Sequence, residues 1–460
     1  MWKRLEDIFV VLAFLFFAGA FLPLLNPAKQ IPDEKPANAS IAALQKQERS
    51  RSGDPTTANP IMLAGQILVY GVVAVLLLRH RRQILFQMQH TKLLWAVVAL
   101  AFISVLWSQW PGFALRRCMN MAATSAFGLY LAYRYSPRQL LRLLGWALAI
   151  SIVCSILVVL LRPDLGIDSA LTNNAWKGIF VQKNTLGRLM ALGVLVFLFL
   201  AFDNKTHRWA YGAASLICVG MIVMAGSDTS AIAVPILLIL LAMFGLARQR
   251  PFWTVFALGL FAAVGITCGL MLFADTTDFF AAIGRDSTLS GRIEIWTAVF
   301  PKIMDRPWLG YGYGTFWLGL EGQASADLWS MLRWHVAQSH NGFLDLVEEL
   351  GVVGLGLFLA NFIMSMRRGL LWARIERTTI GLWPLAFLSF MLLFNLTEGS
   401  ILSQDHLIWV LYVATSVFVV VETDLLIPEL SRAGVQRVEM FNGPQYAPVG
   451  SGGETMEIQS

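Results

Sequence analysis

The sequence predicts an all-α integral membrane protein with about 12 transmembrane helices and one large loop outside the membrane. Of its 460 residues, 57% are hydrophobic and 14% are charged, whereas soluble domains average roughly 45–50% apolar and about 25% charged residues. The apolar residues form runs that recur along nearly the whole chain. This distribution excludes a soluble enzyme with one short anchor. It also excludes an outer-membrane barrel, whose strands show only weak alternation over about ten residues.

The predicted number of helices depends on the length that a crossing requires. A helix needs about 20 mostly apolar residues to cross the hydrocarbon core of a bilayer. The first apolar run continues through Leu25, past a small-residue segment similar to a signal-peptidase site, and therefore predicts an uncleaved anchor helix. The twelve runs lie near residues 8–26, 61–78, 92–107, 118–133, 139–161, 186–202, 209–226, 230–247, 252–274, 341–364, 380–396 and 405–422.

The positions of the basic residues predict the orientation of the chain. Cytoplasmic loops are enriched in Lys and Arg, and an N-terminus in the cytoplasm puts most of the basic loops, such as those around Arg81, Arg138 and Arg250, on that side. Both termini are then cytoplasmic. The predicted segments are an anchor (1–26), an external tether (27–60), transmembrane helices 2–9 (61–274), the large external loop (275–340), helices 10–12 (341–422) and a disordered cytoplasmic tail (423–460).

Several basic residues lie in or beside external loops, where this orientation disfavours them. A guanidinium or ammonium group at a helix end is suited to bind phosphate, and Arg can do so bidentately. The alternative is that these side chains reach lipid headgroups or pair with acidic neighbours. Because they are spread over three external loops, we favour a phosphate site. The residues are Arg116, Arg117, Lys177, Lys183, Arg188, Arg285 and Arg292.

The interiors of the apolar runs argue against a coupled transporter. Half of the predicted helices have no ionisable residue in their central stretch, whereas ion-coupled carriers usually place such groups near the bilayer midplane. The exception is the tenth run, where Asp345, Glu348 and Glu349 follow His340 within the first turns of the helix. The chemistry is therefore predicted at the external rim of the bundle.

An ordered series of motifs between residues 290 and 354 resembles a known family. Its His340-Asn341 pair is followed, after nine residues, by a G-x-x-G pattern at Gly351 and Gly354. This arrangement is similar to that of the O-antigen ligase and exopolysaccharide polymerase superfamily. Further segments that resemble the family are Ser290-Gly291-Arg292, Asp305 to Gly314, Lys183-Asn184 with Arg188, Gly226 to Ser230, and Asn395 to Glu398.

The resemblance implies glycan transfer at the periplasmic face of a bacterial inner membrane, without a metal or nucleotide cofactor. The expected donor is an oligosaccharide linked to undecaprenyl diphosphate, and the large external loop is then periplasmic. Expected partners are an acceptor glycan or glycolipid, membrane lipid and other polysaccharide assembly proteins, but no nucleic acid. A polymerase passes the growing chain to the next lipid-linked repeat, whereas a ligase passes it to the lipid A core.

The resemblance implies roles for particular residues, and their chemistry agrees with those roles. Arg188 and Arg292 correspond to arginines at the donor diphosphate, where fixed cations stabilise the departing charge. His340 corresponds to the histidine at the reacting centre, where imidazole can accept a proton near neutral pH. Whether it acts as a base or only orients the acceptor stays open. Other candidates are Glu398 as a second base, Lys183, Arg116 and Arg117 as diphosphate ligands, and Asn184, Asn341, Gly291, Gly351 and Gly354 as supporting residues.

Each of these assignments has a structural alternative. Asn341 can simply cap the tenth transmembrane helix, and Gly351 and Gly354 can serve close helix packing. For the whole protein, we favour an exopolysaccharide or O-antigen polymerase over an O-antigen ligase. A polysaccharide or lipid flippase and a scaffold subunit are alternatives from other classes. A flippase predicts charged groups inside the bundle, which the apolar runs largely lack.

Overall fold

The computed structural model describes residues 2–22, 60–168, 174–248, 259, 291–333 and 336–432. Apart from single helical turns, these residues form helices and one antiparallel pair of very short strands, β1 (Ile167–Asp168) and β2 (Ala175–Trp176). The helices are α1 (Trp2–Phe17), α2 (Pro60–Arg79), α3 (Arg81–His90), α4 (Lys92–Ile103), α5 (Pro111–Arg134), α6 (Pro137–Leu161), α7 (Lys183–Asp203), α8 (Arg208–Ala225), α9 (Asp228–Ala247), α10 (Arg292–Asp305), α11 (Gln323–Leu332), α12 (Gly342–Ile375), α13 (Trp383–Asn395) and α14 (Leu407–Arg432).

The described helices agree with an all-α, multi-pass membrane protein. Six of them, α6, α7, α8, α9, α12 and α14, are long and apolar enough to cross a membrane. The pair α2 and α3, bent by 91°, makes up to seven. Helices such as α4 and α13 are apolar but shorter, and the predicted run 252–274 lies outside the described residues apart from Gly259. The number of twelve therefore stays a prediction.

Helices α7 and α14 lie largely in the interior of the bundle. In α7 and in the apolar part of α14, 78% and 83% of the best apolar window is buried, compared with 22% in α8. Helices that are apolar on all sides belong in the interior of a bundle. A close approach joins α14 to α5, because a Cβ on Gly128 would lie 2.6 Å from the carbonyl oxygen of Val410. Small residues permit this approach of two backbones.

The predicted large loop contains helices in its described part. Within residues 291–340, α10 and α11 pack on each other around Ile295, Val299, Leu328 and Trp329, which form a small apolar cluster with residues of the following loop. The side chain of Trp329 donates to the carbonyl of Val336 at 2.8 Å, which fixes the chain after α11. Residues 275–290 of the predicted loop lie outside the described residues, as do residues 27–59 of the predicted tether.

The predicted cytoplasmic tail is wrong at its start. Helix α14 continues to Arg432, ten residues beyond the predicted end of the last span at 422. The ion pair between Arg368 of α12 and Asp424, at 2.6 Å, attaches this extension to the bundle. The apolar run ends near residue 422, but the helix does not, because Asp424 on its next turn pairs with Arg368 of α12. Residues 433–460 lie outside the described residues.

Candidate active site

Glu398 is the centre of a polar cluster formed by four separate parts of the chain. Its Oε1 accepts hydrogen bonds from the side-chain amide of Asn184 at 3.1 Å and from the guanidinium group of Arg292 at 3.2 Å. Its Oε2 lies 3.7 Å from Nδ1 of His340. Asn184 is in the first turn of α7, Arg292 begins α10, and His340 precedes α12. We call the end of the bundle at which these elements meet the site end.

Arg188, one turn after Asn184 on α7, points into the same cluster with only 9% of its surface exposed. A terminal nitrogen of its guanidinium group donates to Nε2 of His406, at 3.0 Å. Its Nε has no hydrogen-bond partner, and no carboxylate forms an ion pair with it among the described residues. A buried cation that forms no direct ion pair costs free energy unless a ligand compensates it. This guanidinium group is therefore suited to receive an anion.

The charges of the cluster favour an ionised Glu398. Burial raises the pKa of this carboxyl, but the neighbouring imidazole of His340 and the positive charges of Arg188 and Arg292 lower it by more, so that the net pKa is below its ordinary value. With neutral imidazoles, the two guanidinium groups and the one carboxylate leave a net charge of +1. The cluster thus keeps positive charge available while 15% of Arg292 and 18% of His340 stay accessible to solvent.

The turn that carries Glu398 is fixed by the side chain of Asn395 at the end of α13. The Oδ1 of Asn395 accepts from the backbone of Ser400 at 2.8 Å, and its Nδ2 donates to the Ser400 hydroxyl at 2.8 Å. The backbone of Glu398 donates to Phe394 at 2.9 Å. This compact turn closes the helix and aims Glu398 at the cluster. A side chain on Gly342 would collide with Asn395, so α12 can begin only this close to the turn with glycine there.

His340 is held in an unusual backbone conformation. Its φ is 51°, in the left-handed region that non-glycine residues rarely adopt. Both backbone polar groups of the preceding residue, Ser339, are hydrogen-bonded: its N–H donates to Asp345 at 2.8 Å, and its carbonyl accepts from the Trp296 indole at 2.8 Å. Its hydroxyl also donates to the buried Glu348. These hydrogen bonds stabilise the strained backbone conformation of His340, which directs its imidazole towards Glu398.

The two alternatives for the His-Asn and G-x-x-G motifs are partly resolved by the backbone of α12. The side chain of Asn341 caps α12 by accepting from Phe343 and Leu344 at 3.0 and 3.3 Å. Gly351 interrupts the helix with φ 65° and ψ −170°. At this break the loop after α10 enters: Tyr311 donates to the carbonyl of Glu348 at 2.9 Å, and Val352 donates to that of Pro307 at 2.8 Å.

The glycine motif therefore serves backbone packing. A Cβ on Gly351 would overlap the backbone of Trp308, and one on Gly354 would overlap the Leu350 side chain. Gly310 in the entering loop has φ 64° and would itself collide with the carbonyl of Glu348. The spacing of the motif reflects the distance from the cap at Asn341 to the break, which holds the loop after α10 next to the first turns of α12.

The other predicted diphosphate ligands do not join the cluster by a direct polar contact among the described residues. Lys183 is half-buried at the start of α7. Arg117 donates to the carbonyl of Gly314 at 3.2 Å, and its guanidinium group lies 4.9 Å from the centre of the Phe113 ring. Arg116 lies 5.5 Å from the same ring. Gly291 is the residue before α10, with φ 86°, and gives the sharp turn that leads into Arg292.

His406 is a residue of the cluster that the sequence motifs do not indicate. It belongs to the segment between α13 and α14, where the side chain of Asp405 accepts from Gln66 at 2.7 Å and from Tyr70, both on α2. The backbone of Asp405 also donates to Thr124 of α5 at 3.0 Å. A usable signal was its position: it is a histidine in the first residues of the last apolar run (405–422), at the predicted external end.

Comparison with known proteins agrees with the motifs. Residues 213–359 match the sequence model of a family described as O-Antigen ligase, a range that includes Arg292 and His340. A similar curated protein is the exopolysaccharide production protein ExoQ of Rhizobium meliloti, 26% identical over 310 residues that cover 63% of this chain and 68% of the relative. The resemblance predicted from the sequence is thereby confirmed.

Proposed function

We propose that this chain, which is similar to the O-antigen ligase and exopolysaccharide polymerase superfamily, is a polymerase. It transfers oligosaccharide repeats from undecaprenyl diphosphate into a surface exopolysaccharide or O-antigen. The observation that carries this proposal is the buried Arg188, which has an unpartnered nitrogen and no carboxylate partner among the described residues, next to the contacts of Arg292, Glu398 and His340. A departing diphosphate supplies the negative charge that this cluster lacks.

In the proposed reaction, a hydroxyl oxygen of the acceptor attacks the anomeric carbon of the donor sugar. The bond between that carbon and the diphosphate oxygen breaks, and the diphosphate leaves with its electron pair. Arg188 and Arg292 stabilise the charge that develops on the diphosphate. His340 takes the proton of the attacking hydroxyl, and Glu398, 3.7 Å from its Nδ1, stabilises the resulting imidazolium.

This division of roles follows from the partners of Glu398. His340 and the positive charges of Arg188 and Arg292 lower the pKa of Glu398, which is therefore a weak base. The imidazole of His340 is partly exposed and makes no bond to an arginine. We therefore assign proton transfer to His340, and to Glu398 the alignment of Arg292, Asn184 and His340.

We place the site at the periplasmic face of the inner membrane, with both termini in the cytoplasm. This placement is supported by the basic residues near the helix ends opposite the site, where cytoplasmic loops are expected to be positive. They include Arg79, Arg81, Arg82, Arg134, Arg138, Arg208, Arg248, Arg367 and Arg374. The donor lipid then has its diphosphate at the site end and its tail in the membrane.

The test uses the purified full chain in lipid vesicles with one undecaprenyl-diphosphate oligosaccharide as both donor and acceptor. A ladder of products together with released lipid diphosphate is expected, and the ladder is expected to disappear with His340→Ala and Arg188→Gln. Arg208→Gln removes an exposed arginine outside the cluster and serves as the matched control. Absence of any product from the wild type would overturn the proposal of a polymerase.

An O-antigen ligase is the second candidate, because the matched family model carries that description. It uses the same donor chemistry but a different acceptor. A single transfer that appears only after lipid A core is added would identify the ligase. The absence of a transfer product in both assays, together with transport of the lipid-linked donor across the vesicle membrane, would instead identify a flippase.

A further inference from the structure

A wedge-shaped groove opens between α1 and α2 at the end of the bundle opposite the active site. The two helices touch at the site end, where a Cβ on Gly65 would lie 3.2 Å from the Phe16 ring. Towards Trp2 and Arg79 they separate and leave a groove of about 560 Å³. Helix α5 closes its floor with Arg134. The groove is thus widest at the end of the two helices where Trp2 and Arg79 lie.

The walls of this α1–α2 groove are apolar and its mouth is basic. Leu5 and Phe9 of α1 face Val72 and Leu76 of α2, and each pair is spaced by one helical turn, so that each wall is a continuous apolar strip. At the mouth, Lys3, Arg79 and His80 line the same groove.

The charges in the groove are not balanced. The carboxylate of Glu6, on the floor of the groove, is already paired with Arg134, which donates to its two oxygens at 2.8 and 2.7 Å. Neither Lys3 nor Arg79 forms an ion pair with any described residue. The cations Lys3, Arg79 and Arg134 together with the single carboxylate of Glu6 give the groove a net charge of +2. A partner that fits must carry negative charge at the mouth and hydrocarbon in the depth.

We propose that the α1–α2 groove binds one anionic glycerophospholipid, with an acyl chain between Phe9 and Leu76 and the headgroup phosphate at Lys3 and Arg79. A lipid of this class matches both the apolar depth and the basic mouth. Each Lys or Arg near a membrane surface contributes about 1 kcal/mol to the binding of an anionic lipid. This binding is independent of the reaction proposed for the site end, because no residue of the groove belongs to that cluster.

The experiment measures the thermal midpoint of the full chain in neutral detergent while phosphatidylglycerol, phosphatidylcholine or inorganic phosphate is added. We expect phosphatidylglycerol to raise the midpoint and the other two to have little effect. Arg79→Gln and Lys3→Gln should each raise the half-saturating lipid concentration about fivefold. Arg82→Gln, at an exposed residue of the same end that does not line the groove, should leave it unchanged.

A second variant tests the shape of the groove rather than its charge. Leu76→Trp fills the space between the walls, so that the response to phosphatidylglycerol should be lost although both basic residues remain. Should phosphatidylcholine stabilise as well as phosphatidylglycerol, the proposal of an anionic lipid is overturned. The same holds if inorganic phosphate is sufficient, or if Arg82→Gln weakens binding as much as Arg79→Gln. Retention of the full response by a folded Leu76→Trp protein would show that lipid binds elsewhere.

Discussion

The two ends of the helix bundle use arginine in different ways. At the end opposite the active site, three arginines join helices to one another through carboxylates. The pairs are Arg134 with Glu6 at 2.7 Å, Arg138 with Asp203 at 2.8 Å and Arg368 with Asp424 at 2.6 Å. At the site end, Arg188 is more buried than these arginines, yet it meets the imidazole of His406 instead of a carboxylate.

The difference separates structural charges from charges that are available to a ligand. Each of these three arginines is neutralised by a carboxylate of a neighbouring helix and stabilises the bundle. Arg292 at the site end differs from them, because its carboxylate, Glu398, also contacts Asn184 and His340. An arginine that is buried beside a neutral imidazole retains its positive field and one unpartnered nitrogen. Buried and strongly perturbed charges are typical of functional sites, where they serve binding or catalysis although their burial lowers the stability of the fold.

The largest expected effect on activity is that of Arg188→Gln. Loss of one preorganised cation should lower the rate of glycan transfer about 10²–10³-fold. The thermal midpoint should stay the same or rise, because the substitution removes a buried charge that forms no direct ion pair among the described residues. Transfer assays and thermal unfolding of the same preparation check both. A lowered midpoint with normal transfer would place Arg188 with the structural arginines.

The next largest effect concerns the backbone of the site end. Gly351→Ala should reduce the free energy of unfolding by about 3 kcal/mol or more, because a positive φ and an overlap with Trp308 act together. Gly356→Ala, on the same helix with open space at its Cβ position, is the matched control and should be neutral or slightly stabilising. Equal stability of both variants would contradict the backbone packing at Gly351.

Arg134→Gln should affect stability rather than chemistry. It leaves Glu6 without its bidentate partner, although Tyr130 still donates to that carboxylate. We expect the free energy of unfolding to fall by about 1–3 kcal/mol, while glycan transfer stays within about threefold of the wild type. Thermal unfolding and the transfer assay measure the two quantities. A transfer rate reduced as strongly as in Arg188→Gln would remove the distinction between the two ends.

The smallest expected effect is the pH dependence that Glu398 contributes to stability. Its folded-state pKa is lower than the ordinary value of 4.5. The contribution is therefore fully present above about pH 4.5 and is lost as the pH falls through the folded-state pKa. Thermal midpoints of the wild type and Glu398→Gln should converge as the pH is lowered below 4.5. Glu321→Gln, on the exposed surface outside the cluster, should keep the wild-type profile. Parallel profiles for wild type and Glu398→Gln would contradict this.

Much of the architecture followed from the sequence, since it depends on local composition. Long apolar runs form helices in a membrane because every backbone polar group must be paired within the segment, and the runs at α6, α7, α9 and α12 agree with the described helices. The extension of α14 to Arg432 did not follow, because it depends on the partner that Asp424 finds on α12. Hydropathy reports where a helix is apolar, but it does not report where it ends.

The motifs selected the central residues of the candidate site. His340, Arg292, Arg188, Asn184 and Glu398 were all indicated by a spacing or a local pattern, and the fold brings them into one cluster. The roles of the surrounding residues could not be predicted from the sequence as well. Arg116 and Arg117 have the same charge as Arg188 in the sequence, and only their partners, Phe113 and Gly314, separate them from it.

The sequence by itself determined the helical membrane class, the order of the apolar runs and the chemical character of the site, because these properties depend on residue type and on spacing along the chain. The tertiary structure decided which charges are neutralised and which remain available. It brought His406 to Arg188 from 218 positions away and inserted a loop at the break that Gly351 makes in α12. Such long-range pairings are not encoded in any local pattern, since they depend on how whole helices pack.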